Sequence, residues 1–362
     1  MVLQQMVSRG HERVLFVNTP QAGLRAIIAI HDTTLGPGLG GIRRWYYDSE
    51  ADAVEDVLRL SQAMTYKNAG ADLPFGGGKA VIMMNEPGQP FTPKEARAMG
   101  DAVRAFAGDY VTAEDVGVNE EFMDYVGERC EFVTGGVKHA AGGGDPSVWT
   151  AQGVVNGMKA ALRHRGGSGD LAGVVVNVMG LGSVGMHVVR ILTENGTIVR
   201  GFDINQKRTQ LAQKEYNIEL RDGDSILSTE CDIFAPCALG GVLNSETVSA
   251  LNCSIVCGAA NNPLADPQND SALLAARGIV YAPDFIVNAG GVIRLAAAWH
   301  KWSDDRVHEM IANVENTTLK ILDRANSRKI TTHQAALDHA MERINKGRVY
   351  ASAFVDREAQ QV

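Results

Sequence analysis

The chain has 362 residues, 45% of them hydrophobic and 21% charged, with a net charge of −8 and a pI near 5.6. That acidic balance, with no long Lys/Arg run, argues against a nucleic-acid footprint or an anionic membrane partner and leaves small-molecule chemistry as the expectation. The opening MVLQQMVSRGHERVLF lacks a signal-peptide core, and no stretch reaches the roughly 20 apolar residues that span a bilayer, so a cytoplasmic protein is expected.

Along the chain, AIIAI (26–30) reads as a buried strand and GPGLGG (36–41) as a turn. SEADAVEDVLRLSQAMTYK (49–67) follows, with Val54, Val57, Leu58, Leu60, Ala63 and Met64 near helical spacing and Ser49 placed to cap the helix. Lys67 lies three and four positions after Met64 and Ala63, so it extends the apolar face, a costly place for an ammonium group. Lys79 then enters the strand KAVIMM after Gly76, Gly77 and Gly78, where missing side chains let another molecule approach backbone. Two cations in one apolar cleft depress each other's proton affinity, bind an anionic substrate, or divide those tasks. A balancing carboxylate is supplied by a short strand, Tyr110 to Ala113, followed by Glu114 and Asp115 and a capped helix from Asn119 to Val126.

VKHAAGGGDPS (137–147) reads as a hinge and domain boundary, with Ser147 as a helix cap. Beyond it, LAGVVVNVMGLGSVGMHVVRILTENGTIVRGFDINQKR gives strand, glycine turn, helix and strand in that order. Gly180, Gly182 and Gly185 fit G-x-G-x-x-G, the pattern that brings a pyrophosphate onto a helix N-terminus. Asp203 ends the next strand 23 positions beyond Gly180, where its carboxylate accepts from a ribose 2′-hydroxyl and repels a 2′-phosphate. NAD is therefore expected over NADP, against the counter-signal of Lys207 and Arg208 just beyond. CDIFAPCALGGVLN, SIVCGAANNP and APDFIVNAGGVI then place small residues and asparagines at further strand ends. Asn261 and Asn262 there suit either a nicotinamide ribose or substrate contact, or an ordinary turn.

Five cysteines, an odd number, match no zinc or CxxC spacing, so reduced, mostly buried thiols and no metal site are expected, with Cys237 as the one candidate functional thiol. The expected architecture is α/β in two domains separated by a cleft, an N-terminal α/β domain to about residue 145 and a Rossmann-type dinucleotide-binding domain beyond it.

HDTTLGPGLGGIRRW (31–45), MTYKNAGADLPFGGGKAVI, YVTAEDVG, GLGSVG, CDIFAPCALGG, GAANNP and YAPDFIVNAGGVI together resemble the amino acid dehydrogenases of the glutamate, leucine, phenylalanine and valine dehydrogenase superfamily, most of all leucine dehydrogenases. The resemblance spans nearly the whole chain. It implies reversible oxidative deamination of an L-amino acid to a 2-oxo acid and ammonia with hydride transfer to NAD, a homo-oligomer, an N-terminal substrate-binding and oligomerisation domain (1–145), a Rossmann-type NAD-binding domain (146–329), and a C-terminal helix (about 330–362) that returns to the first domain. It makes Lys67 the holder of the substrate carboxylate, Lys79 the catalytic lysine of a glycine-rich loop, kept partly unprotonated, and Asp115 the acid/base that serves the nitrogen. Leu39, Gly40, Ala113, Val292 and Leu295 become the substrate side-chain wall, with Asn262 beside them. Gly180, Gly182, Ser183, Val184, Gly185, Asp203, Ala238, Asn261 and Thr150 become cofactor contacts. None of the wall residues is Lys or Arg, so an apolar substrate side chain is expected, branched-chain in preference to aromatic. Leu295 resembles the phenylalanine enzymes, Arg294 replaces an asparagine usual in the leucine ones, and GHERVLF and AIIAIHDTTLGP resemble tryptophan dehydrogenases, which keeps an aromatic amino acid as the alternative. A hydroxy-acid dehydrogenase using His31 and Arg43, and a catalytically silent NAD-binding regulator, are the competing functions.

Overall fold

The computed structural model describes residues 1–138, 145–223, 225–238 and 240–359, with side chains up to residue 349. The central part of the expected hinge, 139–144, lies outside the described residues. The chain divides into two compact units. One comprises Met1–Gly144, Leu295–Ser303 and Ala340–Val362, and the other Asp145–Arg294 and Asp304–His339. The first unit thus takes a short segment at 295–303 as well as the chain's end, and the C-terminal return begins at Ala340 rather than near 330.

The first unit is built on a five-stranded sheet with strands β1 (Arg13–Thr19), β2 (Leu24–Asp32), β3 (Gly38–Trp45), β4 (Gly76–Met83) and β5 (Tyr110–Glu114), in the order β1-β2-β4-β3-β5. β3, β4 and β5 run parallel, and β1 and β2 are antiparallel additions at one side. Nearly every residue of β2 and β4 is buried because both sheet faces are covered. On one face Ile27, Ala29 and Val81 pack against Val54, Val57 and Leu58 of helix α2 (Glu50–Gly70), which follows a short α1 (Val2–Arg9). On the other, Ile28, Ile30, Ile42, Ala80 and Ile82 meet Met99 and Val103 of α3 (Pro93–Arg104) and Phe122 and Val126 of α4 (Glu120–Gly127). Each such aliphatic side chain contributes about 1.5–3 kcal/mol of burial. Side-chain caps start all three helices, Ser49 accepting from the Asp52 N–H, Thr92 from Glu95 and Asn119 from Phe122.

Gly76, Gly77 and Gly78 are strand residues, not a loop. They open β4, with Gly76 opposite Gly38 and Gly77 opposite Leu39. The reason is the closeness of α2: a Cβ on Gly77 would lie 2.1 Å from Thr65 Oγ1 and 2.3 Å from the Thr65 nitrogen. The C-terminal helix Thr332–Ala359 closes the far end of α2. Arg343 donates to the carbonyls of Leu73 at 2.8 Å, Ala69 at 3.3 Å and Asn68 at 3.4 Å, and pairs with Asp72 at 3.1 Å. The Asn68 and Ala69 carbonyls already accept from the Leu73 and Asp72 N–H groups, so the guanidinium adds a charged second donor to them and supplies the Leu73 carbonyl beyond the helix end.

The second unit holds a six-stranded sheet whose paired strands all run parallel: β6 (Val175–Met179), β7 (Ile198–Phe202), β8 (Glu219–Leu220), β9 (Cys231–Pro236), β10 (Cys253–Val256) and β11 (Val280–Tyr281). The order β11-β10-β9-β6-β7-β8 is the doubly wound arrangement of a dinucleotide-binding fold, whose strand order reverses between β6 and β9. Helix α5 (Ser147–His164) and α6 (Ser183–Glu194) cover it, with the helix Asp304–Arg328 packed beside α5 through an Asn156 Nδ2 bond to the Ile311 carbonyl at 2.8 Å. Ser147 does not cap α5 as the sequence suggested. It is the helix's first residue, and its N–H donates to Asp145 Oδ1 at 2.9 Å, because Asp-Pro places the carboxylate two positions ahead.

Candidate active site

Strand register decides what meets in the first unit. Leu39 pairs with Gly77 and Ile42 with Ala80, so Gly41 stands beside Lys79, and Gly41 also pairs with Ala113. Side chains alternate along a strand, so Leu39, Gly41 and Arg43 share one face with Lys79 and Val81, the face that α2 covers. Just past the end of β5, Asp115 reaches onto that face. Its Oδ2 lies 2.8 Å from Lys79 Nζ and 3.1 Å from Arg43 Nε. A Cβ on Gly41 would sit 2.4 Å from the Glu114 carbonyl oxygen and 2.9 Å from Asp115 Cβ, so the glycine is what lets the carboxylate come in. Lys79 is only 5% exposed.

Burial alone would favour the neutral acid, but the Lys79 ammonium, the Arg43 guanidinium and a Val116 backbone bond prevail and hold the Asp115 carboxyl at about 2. The folded value lies below the ordinary one, so this stabilisation is present above about pH 4 and is lost as pH falls toward 2. Asp115→Asn is therefore expected to cost on the order of 2 kcal/mol at neutral pH, a deficit that shrinks between pH 4 and pH 2 in denaturant titrations. An equal deficit at both ends would contradict it.

Arg43 is a residue whose partners the sequence did not reveal. Its Nη1 lies 3.0 Å from Asp56 Oδ2, which also accepts from Tyr47 OH at 2.7 Å, while Arg59 Nη2 bonds Asp56 Oδ1 at 2.9 Å. Its place in GGIRRW, in phase with Leu39 and Gly41, was the available signal. The His/Arg pairing of a hydroxy-acid dehydrogenase finds no support in these partners. His31 binds Thr65 Oγ1 at 2.8 Å and the Arg9 carbonyl at 3.0 Å, whereas Arg43 is taken up by Asp115 and Asp56.

Lys67 is half-buried in the last turn of α2, eleven residues beyond Asp56 and so on the same stripe of the helix. Leu39 and Ala113 are buried, and the Gly40 carbonyl accepts from Tyr110 OH at 2.8 Å. Leu295 belongs to the first unit, its carbonyl accepting from Thr134 Oγ1 at 3.3 Å, while Val292 is buried in the second.

In the second unit Gly180 turns at φ 108°, a conformation that favours glycine, and donates to the Phe202 carbonyl at 2.8 Å. A Cβ there would strike the Ala238 nitrogen at 2.6 Å, and one on Gly185 the Gly180 carbonyl at 2.0 Å, so the turn is packed tight between β6 and β9. Gly182 differs, because a Cβ would meet nothing nearer than Arg208 Nη1 at 3.9 Å. That open backbone at the α6 N-terminus, beside exposed Ser183 and half-buried Val184, fits a pyrophosphate. Gly182→Ala is expected to leave the melting temperature unchanged and weaken dinucleotide binding at least tenfold in titrations of nucleotide fluorescence. Unaltered affinity would remove the turn from the site.

Asp203 is buried and accepts from the Leu181 N–H through Oδ2 and from the Asn205 N–H through Oδ1, both at 2.8 Å, with Arg208 Nη1 at 3.6 Å. Thr150 Oγ1 donates to the Pro146 carbonyl at 3.0 Å, and Ser183 Oγ to Asp145 Oδ2 at 3.4 Å. Asn262 adopts φ 49° with its N–H on Asp284 Oδ2 at 2.8 Å, and Asn261 Oδ1 accepts from Asn288 Nδ2 at 3.0 Å. Burial pushes the Cys237 thiol up to about 11, which gives it no nucleophilic character at neutral pH.

Comparison with known proteins matches most of the chain. A family model for the Glu/Leu/Phe/Val dehydrogenase dimerisation domain matches residues 11–131, and one for glutamate/leucine/phenylalanine/valine dehydrogenase matches residues 202–350. A leucine dehydrogenase of Geobacillus stearothermophilus is 42% identical, over 98% of this chain and 96% of that one. A valine dehydrogenase of Streptomyces albus is 43% identical, over 94% and 93%. Among solved structures, L-tryptophan dehydrogenase from Nostoc punctiforme aligns with a TM-score of 0.83 at 37% identity, covering 96% of this chain and 99% of that one.

Proposed function

The chain belongs to the glutamate/leucine/phenylalanine/valine dehydrogenase family of oxidoreductases, and from that membership we propose that it reversibly deaminates an apolar L-amino acid, a branched-chain one above all. The family uses nicotinamide dinucleotides; NAD is the form proposed here. The observation that carries the reading is the buried Lys79–Asp115 pair at 2.8 Å.

In this reading Lys67 holds the substrate α-carboxylate. Helical side chains lean toward the helix N-terminus, which aims Lys67 back along α2 toward the row of Lys79. Once the amino acid has been oxidised to its imine, Lys79 in its amine form takes a proton from the attacking water, the ammonium so formed stabilises the alkoxide, and Asp115 exchanges protons with the departing nitrogen. The overall balance is amino acid, NAD⁺ and water giving 2-oxo acid, ammonium and NADH with one proton released. The nicotinamide, when bound, supplies the hydride acceptor. Gly182 offers its open backbone to the pyrophosphate, Gly180 and Gly185 close the turn that presents it, and Asp203 takes the adenosine ribose. Asp203→Ser is expected to raise NADP activity relative to NAD and, because two N–H bonds go with it, to lower the melting temperature; an unchanged cofactor ratio would misplace the ribose contact.

Gly40, Ala113 and Leu39 add no charge to the wall, which supports an apolar substrate side chain. Identities of 42% to a leucine and 43% to a valine enzyme do not separate the branched-chain substrates. The alignment with a tryptophan dehydrogenase keeps the same reaction on an aromatic amino acid as the second reading. The dimerisation-domain match supports a homo-oligomer. No described helix is long and apolar enough to cross a membrane, and a cytoplasmic setting is proposed. A panel of 2-oxo acids, each assayed for NADH consumption with and without ammonia, tests reaction and substrate together. Ammonia-dependent turnover of branched 2-oxo acids is expected. Turnover without ammonia would mark a hydroxy-acid dehydrogenase, and binding without turnover a silent regulator.

A further inference from the structure

Behind Asp115 runs a line of alternating charge that the proposed reaction does not by itself require. One oxygen, Oδ2, receives both Lys79 Nζ at 2.8 Å and Arg43 Nε at 3.1 Å. The other end of Arg43 is clamped by Asp56 at 3.0 Å, which Tyr47 and Arg59 hold in turn. The Arg43 and Asp56 side chains are only 21% and 15% exposed. Taking these charges from water is expensive and is recovered only by close, well-bonded pairing. Simple packing would be served as well by apolar residues of similar volume. The costly line instead ends on the one carboxylate assigned to proton transfer.

We propose that Arg43, anchored by Asp56, is a positioning residue for the deamination: it fixes Asp115 against Lys79 and its charge sets the pH range in which that pair exchanges protons. The role rests on the function proposed above. Among the described residues the titratable and charged groups facing Asp115 include Lys79 from β4, Arg43 from β3 and Tyr110 from β5, with Asp56 and Arg59 of α2 and Tyr47 behind the guanidinium. Glu114, the neighbour in β5, is turned to the Gly136 N–H at 3.2 Å.

The two members of the clamp carry opposite charges, so their removal has opposite electrostatic consequences. Losing the Arg43 cation makes the pair hold protons more tightly and moves the limb of the kcat/KM profile to higher pH. Losing the Asp56 anion leaves the guanidinium less offset and moves the limb to lower pH. Damage to packing alone would lower activity in both variants without that opposition.

The test is the pH profile of kcat/KM for the best amino acid from the panel, with melting temperature and NADH affinity, in the unaltered chain and in Arg43→Gln, Arg43→Lys and Asp56→Asn. Arg43→Gln is expected to lose about 10²-fold in kcat with a smaller change in KM, and to shift the limb upward by about half a pH unit or more. Arg43→Lys should restore the limb's position but not the full kcat, since an ammonium lacks the fork that reaches both carboxylates. Asp56→Asn should shift the limb downward. Shifts of the same sign in Arg43→Gln and Asp56→Asn, or none, overturn the proposal. Should Arg43→Gln fail to fold, Arg43→Lys and Asp56→Asn still decide it by the sign of the shift in the latter. A lack of ammonia-dependent turnover in the unaltered chain sinks the parent reaction and this role with it, whereas failure confined to the variants sinks the role alone.

Discussion

Lys79→Ala is expected to lower kcat/KM for the amino acid by about three orders of magnitude while NADH affinity stays within about twofold. The size follows from general acid–base catalysis, which a positioned side chain supplies at 10²–10⁴-fold. The lysine is 5% exposed, and on the proposed mechanism its charge also stabilises an alkoxide, a task in which solvent replaces such a group poorly. Sparing of the dinucleotide follows from chain location, because Lys79 lies in the first unit and the glycine turn in the second. Its loss also removes a cation from the carboxyl now held at about 2, which should take up protons more readily in the variant. Steady-state kinetics with NADH titration reads both halves of the claim. A variant within tenfold of the parent in turnover would take Lys79 out of the mechanism.

The second large effect is on stability. Gly77→Ala places a methyl 2.1 Å from Thr65 Oγ1, 2.3 Å from the Thr65 nitrogen and 2.4 Å from the Ser61 carbonyl oxygen. Two of those three atoms are helix backbone, which no rotamer change relieves, so α2 must lift from the sheet. Overpacking of this kind costs typically 1–3 kcal/mol and here should reach the upper end, roughly a 10 °C fall in melting temperature. Activity should fall more than stability explains, because α2 carries Lys67 and Asp56. Gly182→Ala serves as the control, its methyl entering open space. Equal melting temperatures for the two variants would mean that α2 does not lie against β4 as described.

Much of this was legible because the residues concerned have few alternatives. The glycine turn, helix and terminal acid of GLGSVG to Asp203 recur in the structure as β6, α6 and β7, since local spacing alone defines that unit. Lys79 and Asp115 were named from the sequence because the one follows three glycines into a strand and the other stands just past a strand end, and the family resemblance gave them their roles. The clamp behind them was not, since Arg43 and Asp56 lie on different elements and only the β3/β4 register and the antiparallel lie of α2 bring them together. Gly76 to Gly78 misled for a physical reason: glycines in sequence signal turns, whereas here a helix pressed onto the strand leaves no room for side chains. The boundaries of the second unit were blurred because Leu295–Ser303 crosses back without any break in composition, inside the helix Gly290–His300.

Arg343 meets the Leu73 carbonyl across 270 residues of chain. At translation speeds of 5–20 residues per second, the end of α2 waits on the order of half a minute for its closing cation. Nearly all of the second unit is synthesised within that interval. Until the chain returns, the Leu73 carbonyl just beyond α2 bonds to water and Asp72 lacks the cation that pairs with it.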